Sequence, residues 1–141
     1  MRVNKKKMQQ DLIADEGMEL KAYRDHLGFL TIGVGRLIDS RKGGGLSEDE
    51  ALYLLNNDIE RCERWLSDNL PWFNAASEPR QRGLINMAFQ LGFRGLLGFK
   101  NSLKLMSEGK WVEAGDNLRV SLWYKQIPKR AERVIKLIVN G

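Results

Sequence analysis

Between Glu16 and Gly35 the chain is punctuated by Gly17, Gly28, Gly33 and Gly35. Glycine at that density marks turns and chain ends, so residues 18–38 read as short β-like runs. Two carboxylates, Glu16 and Asp25, fall in this frame nine positions apart, and a hydroxyl, Thr31, follows six further on. Glu16 precedes the glycine that stops the first helix. Asp25 lies in the turn-like stretch Arg24-Asp25-His26-Leu27-Gly28, and Thr31 opens a strand. A two-carboxylate hydrolase needs such a pair, an acid here on a helix end and a second carboxylate on a loop, and Thr31 would face the same cleft.

Each residue also has a plainer reading. A helix C-terminus disfavours the ionised carboxylate, which suits Glu16 as a proton donor. The same position equally fits an ordinary exposed glutamate. Asp25 fits a turn start without any chemistry, and both descriptions can hold together. Thr31 before Ile32 is an ordinary β-branched strand residue. It is equally a hydroxyl able to orient a water.

The rest of the chain is helical in pattern. The first helix is expected over about Asn4 to Asp15 or Glu16, with Met8, Leu12 and Ile13 as a partial apolar face. Lys42-Gly43-Gly44-Gly45 reads as a flexible turn. Ser47 and Glu50 form a capping box, and Leu52, Leu55, Ile59, Cys62 and Leu66 follow at helical spacing. Pro71 ends that region. Ser77 before Pro79 starts another helix, leading into the apolar segment 83–91. Shorter helices are expected at 100–107, 111–122 and 128–138, with Pro128 in the first turn of the last.

At 141 residues the chain fits one compact unit able to bury a core. No apolar run approaches the roughly 20 residues of a membrane span, and no apolar stretch follows the basic residues 1–10, so no signal peptide is expected. The lone Cys62 admits no intramolecular disulfide, which suits a reducing cytosol. One histidine and one cysteine argue against a protein-built zinc site; no metal or other cofactor is expected. The net charge of +5 fits solvated helix faces, or attraction to a polyanion such as nucleic acid or an anionic cell envelope.

The segment Glu16–Gly35 resembles the catalytic segment of the phage-type lysozymes, the muramidase family of the T-even phages. Asn86-Met87-Ala88-Phe89-Gln90-Leu91-Gly92, Gly98-Phe99-Lys100-Asn101-Ser102-Leu103 and the run from Trp123 to Ile135 match in the same order. The match spans roughly Met8 to Val139. The resemblance implies a single lysozyme-like α+β domain, predominantly helical. A small αβ lobe (about 17–58, with the start of a connecting helix) faces a helical lobe (about 1–16 and 68–141) across a cleft. It implies Glu16 as the acid, and Asp25 and Thr31 as holders of the attacking water in an inverting reaction. Arg130 would pair with the acid. Leu37 and Phe89 would line the cleft, Ser102 and Asn117 would contact sugar, and Gln90 is a further cleft candidate. The tryptophans, Trp111 and Trp123 included, read as core rather than sugar platforms. Asn86, inside an apolar helix, needs a partner if buried.

The chain departs from the family in places. Arg36 stands where the family usually has a histidine paired with an aspartate, here Asp58, so an Arg36–Asp58 salt bridge is expected. The chain is shorter between these two residues than the T-even form, so a reduced β lobe is expected, and with the sequence stopping at Gly141 that form's last short helix is not expected. The implied activity is hydrolysis of the β-1,4 bond between N-acetylmuramic acid and N-acetylglucosamine in peptidoglycan, for phage-driven host lysis. A monomer would accumulate in the host cytoplasm and reach the periplasm through a membrane-permeabilising holin. A lytic transglycosylase on the same substrate would not need Asp25 and Thr31. A catalytically inactive wall-binding protein, or a nucleic-acid-binding module built on the basic segment 129–136, is the alternative from another class. Glu132 interrupts that segment and no nucleic-acid motif accompanies it, so no nucleic-acid partner is expected.

Overall fold

The computed structural model describes residues 3–141; Met1 and Arg2, at the start of the expected 1–16 segment, lie outside them. The fold is α+β and mostly helical. Helix α1 (Lys5–Glu16) precedes strands β1 (Glu19–Arg24), β2 (Leu30–Gly33) and β3 (Arg36–Leu37). Helices α2 (Glu48–Asn69), α3 (Glu78–Leu97), α4 (Lys100–Ser107), α5 (Trp111–Arg119), α6 (Leu122–Gln126) and α7 (Pro128–Asn140) complete the chain. It divides into two compact units, one ending at Tyr53 and the other Leu54–Gly141.

In the first unit, the Asn4 side chain accepts from the Lys7 N–H at 3.0 Å and starts α1. Gly17, at φ +77°, ends it. No residue of α1 is buried, so the expected apolar face of Met8, Leu12 and Ile13 is exposed. The strands form an antiparallel meander, β1-β2-β3. Its register pairs Thr31 with Tyr23 on one side and Leu37 on the other. Thr31 thus lies in the central strand, 5% exposed.

The glycine run after β3 is a docked turn rather than a flexible one. Gly44 N–H bonds Asp39 O and Gly45 N–H bonds Leu37 O, both at 3.1 Å. A Cβ on Gly44 would come within 2.5 Å of the Leu37 carbonyl oxygen. The capping box then opens α2: Glu50 N–H donates to Ser47 Oγ, and Ser47 N–H donates to Glu50 Oε1.

The second unit holds the core. Ala131, Val134, Ile135 and Ile138 form the buried stripe of α7, each large aliphatic contributing about 1.5–3 kcal/mol on burial. They meet Leu84 and Met87 of α3, Met106 of α4 and Leu118 of α5 in one cluster. Of the apolar stripe expected on α2, Cys62 and Leu66 are buried, while Leu52 and Leu55 are exposed. Trp123 is buried and Trp65, Trp72 and Trp111 pack against the core. Ser77 caps α3, which breaks at Gly92 (φ +74°) and stacks Phe93 on Trp65 with ring centroids 4.3 Å apart. The helix expected over 111–122 is two helices. Ser121 takes an extended conformation and its hydroxyl accepts from Tyr124 N–H, starting α6.

Candidate active site

Glu16 is the last residue of α1, and its side chain lies against the β2–β3 connection. A Cβ on Gly35 would sit 2.8 Å from Glu16 Oε2. Gly35 also holds φ +65°, a conformation that favours glycine, and its missing Cβ leaves room for the Glu16 carboxylate where it stands.

Asp25 closes the turn between β1 and β2. Its Oδ1 accepts from the backbone N–H groups of Leu27 and Phe29, both at 2.9 Å. Its own N–H bonds Phe29 O at 2.9 Å. Those bonds make it the turn residue its sequence context describes, and they fix the carboxylate through one oxygen. Thr31 donates its hydroxyl to the same Phe29 carbonyl at 3.0 Å. Its lone pairs therefore remain available to accept. Phe29 is the backbone hinge common to Asp25 and Thr31, and Leu37 lies directly across from Thr31 in β3. The first unit thus gathers Glu16, Asp25, Thr31 and Leu37 around one small sheet.

The second unit carries the other candidates. Buried Ser102, 1% exposed, donates from Oγ to Asn117 Oδ1 at 2.7 Å, so the two act as one polar pair. Trp123 Nε1 donates to Gln90 Oε1 at 3.1 Å, orienting that amide. Phe89 is 47% exposed and lines a hollow of about 410 Å³ with Leu55, Ile59, Ile85, Asn86 and Arg130. Arg130 Nε donates to Asn86 Oδ1 at 3.1 Å. That bond supplies the partner Asn86 needs.

The phage lysozyme family model matches residues 14–139. The chain belongs to the phage lysozyme family. Probable T4-type lysozyme 1 of Dictyostelium discoideum is 31% identical over 90% of both chains. The pre-baseplate central spike protein Gp5 of Enterobacteria phage T4 is 33% identical over 95% of this chain and 28% of its own length. Peptidoglycan hydrolase gp36 of Pseudomonas phage phiKMV is 29% identical over 90% of this chain and 14% of its own.

Within its own unit Arg36 has an ion-pair partner that the sequence reading did not name. Arg36 pairs with Glu50 through two contacts, Nη1 to Oε1 at 2.8 Å and Nη2 to Oε2 at 2.5 Å. Asp58 pairs with Arg61, one turn along α2, at 2.7 Å. The planar guanidinium matches a carboxylate two-pronged, and Ser47 already holds Glu50 at the start of α2. Together they pull the Glu50 carboxyl down to about 2, Arg36 being the larger cause.

Two arrangements escaped the sequence reading. Asp39 is 4% exposed and binds Arg41 through Nε and Nη2. That interaction holds its carboxyl far below the usual carboxylate range. Arg119 on α5 grips Glu132 on α7 through Nε at 3.1 Å and Nη2 at 2.9 Å, and lowers its pKa, with Tyr124 of α6 bonding the same carboxylate. Charge spacing at i, i+2 or i, i+13 carries no sequence signal for either.

Proposed function

We propose that Glu16 protonates the leaving oxygen of a glycosidic bond while Asp25 and Thr31 hold the attacking water, with inversion at the sugar. Family membership makes the chain a muramidase, a glycoside hydrolase acting on peptidoglycan. The bond cut under this reading is the β-1,4 link between N-acetylmuramic acid and N-acetylglucosamine. The observation that carries the assignment of roles is the shared Phe29 backbone. It fixes Asp25 through Oδ1 and takes the Thr31 proton, leaving one carboxylate oxygen and one hydroxyl lone-pair face for a water. Glu16, at the end of α1 against Gly35, is the proposed proton donor. Leu37, Phe89, Gln90, Ser102 and Asn117 are the proposed sugar contacts, with Arg130, Arg36 and Asp58 in support.

Among the described residues no helix is long and apolar enough to cross a membrane. The proposed setting is phage-driven lysis by a monomer that reaches the wall after a holin permeabilises the inner membrane. Its basic charge, +5, favours contact with the anionic envelope. The likeness to a baseplate spike protein leaves a tail-borne role as the second reading.

Digestion of purified Gram-negative peptidoglycan by the wild type and by Glu16→Gln, with products identified by mass spectrometry, tests this. Reducing muropeptides from the wild type and almost none from the variant support it. Anhydro products would replace hydrolysis by lytic transglycosylation. No release from either protein would overturn the enzymatic reading.

A further inference from the structure

Behind the Asp25 turn stands a second layer of polar contacts. Asp39 accepts from Arg41 N–H at 2.9 Å, Arg41 Nε at 2.8 Å and Arg41 Nη2 at 2.6 Å. It also accepts from Leu30 N–H at 3.1 Å. A buried carboxylate with this many donors is fixed in place, and it fixes its partner. Arg41 then reaches the turn in two ways. Nη2 donates to Gly28 O at 3.3 Å, and the guanidinium lies 5.1 Å from the Phe29 ring centroid. Lys42 adds its ammonium 4.9 Å from the same ring. Arg24 Nη1 gives Gly28 O a second donor at 3.0 Å.

Residues 28, 29 and 30 are therefore each gripped from this layer: Gly28 by its carbonyl, Phe29 by its ring and Leu30 by its N–H. The Phe29 backbone orients both Asp25 and Thr31. We propose that Asp39 and Arg41 are positioning residues for the reaction, holding Gly28–Leu30 so that the Asp25 carboxylate and the Thr31 hydroxyl converge on one water. The proposal rests on the roles given to Asp25 and Thr31 above. Neither Asp39 nor Arg41 touches the substrate under it; both act through the turn. A displacement of about 1 Å at a reacting group costs on the order of a hundredfold in rate, so a turn with an exposed tip at His26 and Leu27 gains from such a brace.

The test uses the full chain with Arg41→Gln, whose side chain is on the surface. The double variant Asp39→Asn, Arg41→Gln accompanies it, leaving no unpaired buried charge should the single variant fold poorly. Turnover on peptidoglycan is measured beside amide hydrogen exchange. The expected result is a fall in kcat of about tenfold or more with KM within about twofold. Exchange should quicken at the Leu27 and Phe29 amides and stay unchanged at Leu66 in the core. Wild-type kcat in a folded variant, or unchanged exchange at Leu27 and Phe29, would overturn the proposal. Asp25→Asn separates the two levels. If it retains wild-type turnover, the role of Asp25 itself falls. If it is inactive while Arg41→Gln is fully active, only the positioning role falls.

Discussion

Arg130 on α7 donates its Nε–H to the Asn86 side-chain oxygen of α3 at 3.1 Å, joining positions forty-four apart in the chain. Asn86 has apolar neighbours in Ile85 and Phe89 along the same hollow, so its carbonyl would lose a charged donor if Arg130 were truncated. Hydrogen bonds to charged groups are worth about 1.5–3 kcal/mol. Asn86→Ala and Arg130→Ala should each lower stability in urea unfolding by about 1–2 kcal/mol. The double variant should lose less than the sum, because one bond accounts for part of both losses. Strict additivity would mean the bond contributes nothing. If Arg130 serves the acid as the family resemblance implies, Arg130→Ala should also move the pH–rate profile, and Asn86→Ala should do so in part.

Gly35 and Gly33 provide a matched pair for isolating Glu16. Both hold positive φ, +65° and +71°, so alanine at either position carries backbone strain of about 1–2 kcal/mol. Only at Gly35 would the new Cβ meet the Glu16 carboxylate, at 2.8 Å; at Gly33 nothing lies within 4 Å. Gly35→Ala and Gly33→Ala should therefore unfold at similar urea concentrations. Turnover should fall about tenfold or more in Gly35→Ala alone, since the displaced group is the proposed acid. Equal activity in the two variants would detach Glu16 from the chemistry or show that its side chain simply swings away.

Much of this was legible in the sequence, for local reasons. The Gly17 stop and the Ser47–Glu50 box are short-range hydrogen-bond patterns, and the structure has each where the residues put it. The places of Glu16 at a helix end, Asp25 in a turn and Thr31 in a strand are local too, whereas the roles proposed for them come from the family resemblance. What was illegible depended on which distant group reaches first. Arg36 finds Glu50, which is already oriented by Ser47, and Asp58 finds Arg61. Asp39 reads as an unremarked loop acid until the fold folds Arg41 back on it and brings Leu30 against it. The break at Ser121 shows a hydroxyl outcompeting helix continuation, a choice that periodicity does not encode.

The Arg36–Glu50 pair sets an acid dependence with a definite sign. The folded Glu50 carboxyl sits at about 2, below its ordinary 4.5. Its contribution to stability is therefore complete above about pH 4.5 and is lost as pH falls toward 2. Arg36 stays charged throughout this window, where a histidine would change charge near neutrality. Urea unfolding of wild type and Glu50→Gln from pH 6 to about 2 should show the stability difference between them shrinking over the lower half of the range. Both side chains are partly exposed, so the difference should also shrink in high salt. A difference that stays constant with pH would mean the pair carries no folded-state shift.

Gly115 looks in sequence like a weak point of α5, because glycine in a helix interior costs about 1 kcal/mol relative to alanine. Packing outweighs that cost. A Cβ there would lie 2.5 Å from Val139 Cγ2 and 3.3 Å from Ile135 Cγ2, both on α7. Ile135 can give by a few tenths of an ångström, but Val139 is β-branched and stiff about its first torsion. Gly115→Ala should therefore destabilise the chain by about 1 kcal/mol, the overpacking of about 1–3 kcal/mol exceeding the gain in helix propensity. Removing the obstructing methyls should invert the sign. In a Val139→Ala background the same Gly115→Ala change should stabilise, because the propensity gain then acts unopposed. Thermal unfolding of the four proteins decides it. A Gly115→Ala effect of the same sign in both backgrounds would show that the close approach of α5 to α7 is not what requires glycine at this position.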